Sequence, residues 1–467
     1  MGDGRVLKGR MMKRRAFVPA AAAAFGFQIV RPGVLRAQGA EKTPNEKIRL
    51  AVIGCGGQGG ADLGGMAHEA VVALCDVDDR RAADSFGKHP QAKRFKDFRK
   101  MFDEMADGID AVLVATPDHT HFVAAMTAMR AGKHVYCEKP LAHSVAELRT
   151  LRKTALEKKV VTQVGNQGHS SASIRGLVEM VRSGAIGNVT EIHAGCDAFK
   201  DVYAQQGRMA ELAQQVEIPK ELDWNLWQGP VAERSYHPGF LPFSWRGHMA
   251  YGGGCLGDWI CHVVDPSFWA LDLDMPTAVT AEVTKDYDPK LHALFYPRGT
   301  RITFEFPAKG ARGPVKLIWH DGEFSIPSPK ELEEEGQGRK VVGTGAVLIG
   351  DKGKIMHGSH GAGGWRIIPV QRAREIPKPD ETIPRVKDGN HQQDWLDAVR
   401  AGRPAGSPFE YGGALSEIGL LGVVATRFPG ERLVWDAGAM QFTGHEAATA
   451  LARPASWRAE WDGVRPA

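Results

Sequence analysis

From residue 48 onward, short uninterrupted apolar runs alternate with longer amphipathic stretches. IRLAVIG (48–54), AVVALCDVD (70–78), IDAVLVATP (109–117) and KHVYCEKP (133–140) are runs of the kind that suits strands buried on both faces. Between them, ADLGGM (61–66) opens a helix and HFVAAMTAMRAG (121–132) reads as the helix returning from the third run. Ser144 and Glu147 stand in capping-box spacing ahead of a further helix reaching about Lys159. Strand and helix in alternation predict an α/β fold with a doubly wound parallel sheet, a Rossmann arrangement. The pattern changes from about residue 189, where VTEIHAGCDA, TAVTAEVT, TRITFEF, PVKLIWH and AVLIG are short β-rich stretches. Residues 199–250 form a Trp- and Pro-rich excursion, and PKELEEEGQGRK (329–340) reads as a surface loop. No internal repeat is visible.

The 467 residues are 43% hydrophobic and 24% charged, enough for two domains and a sizeable core. The formal charge of +4 is concentrated at the N-terminus, where residues 1–39 hold 8 Lys and Arg and one acidic residue. The remainder carries 51 basic against 54 acidic side chains. With no basic stripe and no interleaved aromatics, nucleic-acid binding is not expected. The six cysteines contain no CxxC and no zinc spacing, and most lie in apolar runs, where a thiol behaves as a small hydrophobe.

Arg14 and Arg15, Phe17, a weakly apolar stretch from Ala20 to Val30 and small residues around Ala37, Gln38 and Gly39 resemble a twin-arginine signal peptide over residues 1–39. The apolar stretch is about half the ~20 residues a bilayer-spanning helix requires, so it reads as an address and no stable membrane span is expected. Met11 or Met12 would serve equally as the start. That export route carries folded proteins with cofactor inside, which implies a periplasmic or otherwise exported protein.

The loop after the first run places Gly54, Gly56 and Gly59 in G-x-G-x-x-G spacing, with Gln58 at the helix start. Such a turn is tight, and its backbone must approach a pyrophosphate over the helix N-terminus. Asp76 ends the second run 17 residues past Gly59, where a carboxylate accepts hydrogen bonds from an adenosine ribose and repels a 2′-phosphate. NAD is therefore expected, with NADP the alternative because Arg80 and Arg81 would soften the preference. Thr116, Pro117, Glu138 and Lys139 fall at carboxyl ends of strands, where ligands gather in such sheets. His119 and His121 form an HxH with no further ligand at a fitting spacing, so no metal is expected, and His121 reads as a helix-start residue near the cofactor.

The G-x-G-x-x-G loop, TPDHTH and EKP, in this order and at these separations, resemble the family of glucose-fructose oxidoreductase, inositol dehydrogenase and MocA. YGGGCLGDWICHVVD (251–265) is similar to that family's substrate-domain motif, and HQQDWLDAVRAGRP, LLGVVATRFPGERLVWD and WRAEW resemble its exported bacterial members. The resemblance implies an NAD(P)-binding Rossmann domain over 46–167. It further implies a C-terminal substrate and oligomerisation domain over 168–467, α/β with a large open, mainly antiparallel sheet, in a homo-oligomer. It also implies a catalytic set of Lys139, Asp258 and His262. Trp259 and Ile260 depart from the family, which has small residues or glycine there in many members.

The chemistry agrees with these residue types. Asp258 and His262, four apart, share one helix face, and a histidine suits general-base work near neutrality. The Lys139 ammonium would stabilise a developing alkoxide and hold His262 neutral. Oxidation of a secondary alcohol of a sugar or polyol at tightly bound nicotinamide is thus expected. Tyr236, His237, Trp245 and Arg246 would line a sugar subsite or simply pack. The alternative is a redox-neutral, NAD-dependent glycoside hydrolase of the same superfamily, and a third reading is a sugar-binding scaffold without activity.

Overall fold

The structure is a computed structural model, which describes Met1 and residues 47–334, 340–453 and 457–466. The leader expected over 1–39 therefore lies outside the described residues, Met1 excepted. The four apolar runs form β1 (Arg49–Ile53), β2 (Ala70–Cys75), β4 (Ala111–Val114) and β5 (His134–Cys137). Two three-residue strands flank them, β3 (Lys93–Phe95) and β6 (Thr162–Val164). All pair in parallel in the order β3-β2-β1-β4-β5-β6. Between them lie α1 (Gln58–Met66), α2 (Asp79–Lys88), α3 (Phe98–Met105), α4 (Asp118–Arg130) and α5 (Val145–Lys158). Side chains start three of these helices. Asp78 and Asp97 accept from backbone N–H groups of α2 and α3, and Ser144 accepts from Glu147 N of α5. The capping box closes one residue early, Glu147 Oε2 accepting from His143 N at 3.1 Å.

Beyond α6 (Ala172–Arg182), β7 (Val189–Cys196) leads into the aromatic excursion, which folds as α7 (Lys200–Tyr203), α8 (Met209–Leu212) and α9 (Trp224–Gln228). Its rings enclose a small core of their own, with Trp224, Trp227, Tyr236, Phe240, Trp245 and Tyr251 buried. The glycine turn then enters α10 (Gly254–Val263), followed by α11 (Asp265–Ala270). Strands β8 (Ala278–Val283), β9 (Thr300–Phe306), β10 (Val315–Asp321), β11 (Gly345–Gly350), β12 (Gly353–Gly358), β13 (Arg366–Ile368), β14 (Arg432–Asp436) and β15 (Gln441–Phe442) join β7 in one nine-stranded sheet. Its order is β13-β12-β11-β7-β10-β9-β8-β14-β15. Only β7 and β10 run parallel. The segment expected as a loop over 329–340 begins as a helical turn, α12 (Lys330–Glu334), because Leu332 finds a buried place beside Ile326 and Met356.

Two later helices, after α13 (Val370–Glu375), position the site. In α14 (His391–Ala401), Trp395, Leu396 and Ala398 are buried against Val52, Leu63 and Tyr136, so the late chain returns to complete the core of the first sheet. In α15 (Phe409–Ala425), Gly419 and Gly422 let the helix approach α10 closely. A Cβ at Gly419 would lie 2.9 Å from Ile260 Cγ2, and one at Gly422 would lie 2.4 Å from Leu256 Cδ2. Ile260 therefore serves the packing of these two helices, while its neighbour Trp259 is only partly buried. Among the described residues no helix is long and apolar enough to cross a membrane.

Candidate active site

A cavity of about 690 Å³ runs from the glycine loop to α10, lined by Gly54, Gly56, Gln58, Asp76, Thr116, Pro117, His121, Glu138, Lys139, Asp258 and His262. Of the catalytic and cofactor-binding residues expected from the sequence, only Gly59 is absent from its wall. A Cβ there would lie 1.9 Å from the Gly54 carbonyl oxygen, so Gly59 sets the contact between α1 and the loop. Gly54 has φ of +84° and a Cβ would fall 2.6 Å from Ala115 O; at Gly56 it would fall 2.7 Å from Arg81 O. The loop thus leaves open, by lack of side chains, a cradle at the N-terminus of α1. Asp76 Oδ2 accepts from Cys55 N at 2.8 Å and Oδ1 from Asp78 N at 3.0 Å, which fixes the carboxylate at the cavity wall. Arg80 folds back onto Asp78 at 2.7 Å, while Arg81 lines the cavity at its glycine-loop end and Arg246 at the other. The residues present fit an NAD cofactor lying along this groove.

At the other end Lys139, Asp258 and His262 meet, brought by the end of β5 and by one face of α10. Lys139 Nζ donates to Asp258 Oδ1 at 2.5 Å, Tyr203 OH donates to Asp258 Oδ2 at 2.6 Å, and Arg246 Nε lies 3.1 Å from the same oxygen. Burial alone would raise the Asp258 carboxyl, but Lys139 and Arg246 outweigh it and hold the group well below the usual carboxylate range. Burial likewise opposes charge on Lys139, and the Asp258 carboxylate outweighs it, so the ammonium is retained. Burial, then Lys139 and His360, lower His262 well below the ordinary imidazole value. Its Nδ1 is buried without a hydrogen-bond partner, and the residue lines the cavity. His360, held at φ +52° after β12, stacks on His262 with ring centroids 4.0 Å apart and donates its backbone N–H to His262 O at 3.0 Å.

Beneath this site Glu138 and Asp62 lie together, linked by Gln167, whose Nε2 donates to Glu138 Oε1 at 2.6 Å and to Asp62 Oδ1 at 3.3 Å. Burial raises both carboxyl groups; Asp62 raises Glu138 further, while hydrogen bonds from Gln392, Glu138, Gln58 and Gln167 pull Asp62 back down. Each ring of the HxH lies between two backbone carbonyls and, as a neutral imidazole, donates its single N–H to one of them. His121 sits between Pro140 O at 2.7 Å and Thr116 O at 2.6 Å, and His119 between Tyr251 O and Trp227 O. His121 thus braces the ends of β4 and β5 behind the groove, and burial lowers it to about 4.

Sequence reasoning missed four residues of the site. Tyr203 ends the four-residue α7 and His360 lies in a turn after β12, both too short for a periodic signal. Arg246, considered only as a possible wall residue, reaches Asp258 while its guanidinium stacks on Phe243 and Trp245 at 4.1 and 4.2 Å. Asp118, within the quoted TPDHTH, accepts from Gly253 N at 3.0 Å, and burial pushes it up to about 6. Tyr236 packs in the aromatic core, and His237 caps a short turn by accepting from Gly239 N.

Two family models match the chain. The oxidoreductase family's NAD-binding Rossmann fold covers residues 48–166, and its C-terminal alpha/beta domain covers 170–306, together more than half of the sequence. The chain belongs to the Gfo/Idh/MocA oxidoreductase family. Among relatives of this family member, inositol 2-dehydrogenase 1 of Saccharopolyspora erythraea is 32% identical over 152 residues, 31% of this chain and 44% of the relative. A glycosyl hydrolase family 109 protein of Solibacter usitatus is 31% identical over 186 residues, 35% of this chain and 41% of that protein. The chain spans less than half the length of these curated relatives. An inositol dehydrogenase homologue from Azotobacter vinelandii, solved with NADH and myo-inositol, superposes with a TM-score of 0.54 at 17% identity, over 83% of this chain and 98% of that one. That likeness concerns the fold.

Proposed function

We propose that this Gfo/Idh/MocA protein oxidises a secondary hydroxyl of a sugar or polyol at nicotinamide held in the cavity. The observation that carries the reading is the convergence of Lys139, Asp258 and His262 at the end of the groove that begins at the glycine loop. Bound there, NAD supplies the acceptor for the hydride of the substrate carbon. The protein's own groups do the rest. Neutral His262 takes the hydroxyl proton, and the Lys139 ammonium lowers the energy of the alkoxide as it forms. Asp258 is not the base, since both of its oxygens are engaged and its carboxyl stays ionised; it aligns Lys139, Tyr203 and Arg246. Asp76 at the cavity wall favours NAD over NADP.

Similarity to the family 109 protein supports a second reading, in which the same groups serve glycoside cleavage with no net oxidation. The two separate in one assay with purified protein and NAD. A rise in absorbance near 340 nm without aglycone release supports the oxidoreductase, whereas release without net reduction supports the glycosidase. We further propose export by the twin-arginine route, on the Arg14-Arg15-x-Phe17 pattern, and a homo-oligomer that covers the sheet face around Arg301, Thr303 and Glu305, beyond the patch on which α12 packs. Light scattering of the purified protein reads the second of these, and a monomeric mass would contradict it.

A further inference from the structure

The substrate end of the cavity has an unusual outer wall. Phe199, Leu241, Pro242, Phe243 and Trp259 line it side by side, and none of the five offers a free polar group. The one N–H among their side chains, on Trp259, is spent on Tyr203 OH at 2.9 Å. Phe199 packs edge-on to Phe243 at 5.4 Å and lies 6.3 Å from Trp259 at an interplanar angle of 30°. It is also 56% exposed, the one aromatic among the exposed large hydrophobic side chains of the described residues. Its backbone stands at φ +53°, a left-handed conformation that is strained for a bulky residue and that glycine adopts freely. Exposure and a strained backbone together leave Phe199 contributing little to the stability of the fold. Strain of this kind gathers at ligand clamps.

We infer that this wall is a second subsite, which receives the aglycone of a glycoside and recognises it by its flat apolar face. The inference rests on the proposal that the sugar hydroxyl undergoing oxidation lies at His262. Trp259 adjoins His262 on α10, with ring centroids 5.9 Å apart, so a substituent on the reacting sugar that points out of the cavity meets this wall directly. These five side chains offer stacking and no hydrogen bond, which selects a pyranose ring or an aryl group over a methyl group or a free hydroxyl. The substrate class is therefore a two-ring glycoside rather than a free monosaccharide or cyclitol. The Trp259–Tyr203–Asp258–Lys139 chain of hydrogen bonds ties the wall to the reacting end.

Binding of methyl β-glucoside, phenyl β-glucoside and cellobiose to the full chain with NAD present, followed by calorimetry and by tryptophan emission, tests this without requiring turnover. The phenyl glycoside or cellobiose is expected to bind about tenfold more tightly than the methyl glycoside, the phenyl and pyranose arms deciding which ring the wall prefers. In Phe199→Gly the preference is expected to fall towards one while the melting temperature holds or rises, because the backbone strain is relieved. Equal affinities in the wild type, or a preference unchanged in Phe199→Gly, would overturn the inference. So would a change of molecular mass in that variant with the preference intact, which would make Phe199 an assembly contact. Preferential binding with no reduction of NAD by any of the three would leave the subsite standing and tell against the oxidoreductase reading instead.

Discussion

Asp258 is the residue on which the site is hung. Its carboxyl sits below its unfolded value of about 3.9, so the stability it contributes is fully present above that pH and is lost as the pH falls through the folded value. Replacing it by Asn leaves Lys139 and Arg246 buried beside each other without their shared anion, a change of the kind that costs about 3 kcal/mol or more. Asp258→Asn should lower the melting temperature and also release Lys139 to burial and Arg246, which pull its pKa down. Titration of the lysine in the variant by NMR checks this, and an unmoved Lys139 would contradict it. A second prediction concerns Asp118. His262 is held too low to titrate near neutrality, whereas Asp118 is pushed up to about 6 by burial and faces Arg246, Asp258 and Lys139. A limb of kcat/KM near pH 6 is expected to belong to Asp118, activity falling as the pH drops and its carboxylate is protonated. The pH profile of Asp118→Asn should lack that limb; one that keeps it assigns the limb elsewhere. Asp118 was quoted in the sequence only as part of a motif, because nothing in its local pattern shows that Gly253 and Arg246 come to it from over a hundred residues away.

The elements that hold the site differ in how plainly they can be read. Strands β1, β2, β4 and β5 are continuous apolar runs and helix α10 carries its Asp and His one turn apart, so Gly54, Asp76, Lys139, Asp258 and His262 were all legible. Strands β3 and β6, with the sequences KRF and TQV, are too short and too polar to register; their pairing to the neighbouring strands decides them. The excursion between β7 and α10 has no period at all, and it supplies Tyr203, Phe243 and Arg246. At this scale the glycine loop gives a direct test. Gly54→Ala introduces a Cβ 2.6 Å from a backbone oxygen at a positive φ, so neither rotamer change nor side-chain movement relieves it. Equilibrium dialysis should show NAD affinity reduced by at least about tenfold, equivalent to 1.4 kcal/mol. Unchanged affinity would show that the loop does not carry the dinucleotide.

In the molecule as a whole, two sheets and the late helices α14 and α15 are arranged so that one cavity takes its groups from both halves. The first sheet brings the glycine loop and Lys139, α10 brings Asp258 and His262, and the aromatic excursion closes the outer wall. Trp395 fills the core of the first sheet from near the end of the chain, which ties the groove to residues far along the sequence. Such an arrangement has meaning only if dinucleotide and substrate lie end to end in the same space. The most direct test is absorbance near 340 nm of the purified full chain with NAD, recorded as inositols, pyranoses and glycosides are added, beside Lys139→Met. The account predicts a rise with at least one of these compounds and its loss in the variant while NAD still binds. No rise with any of them, or a rise that survives in Lys139→Met, would contradict it.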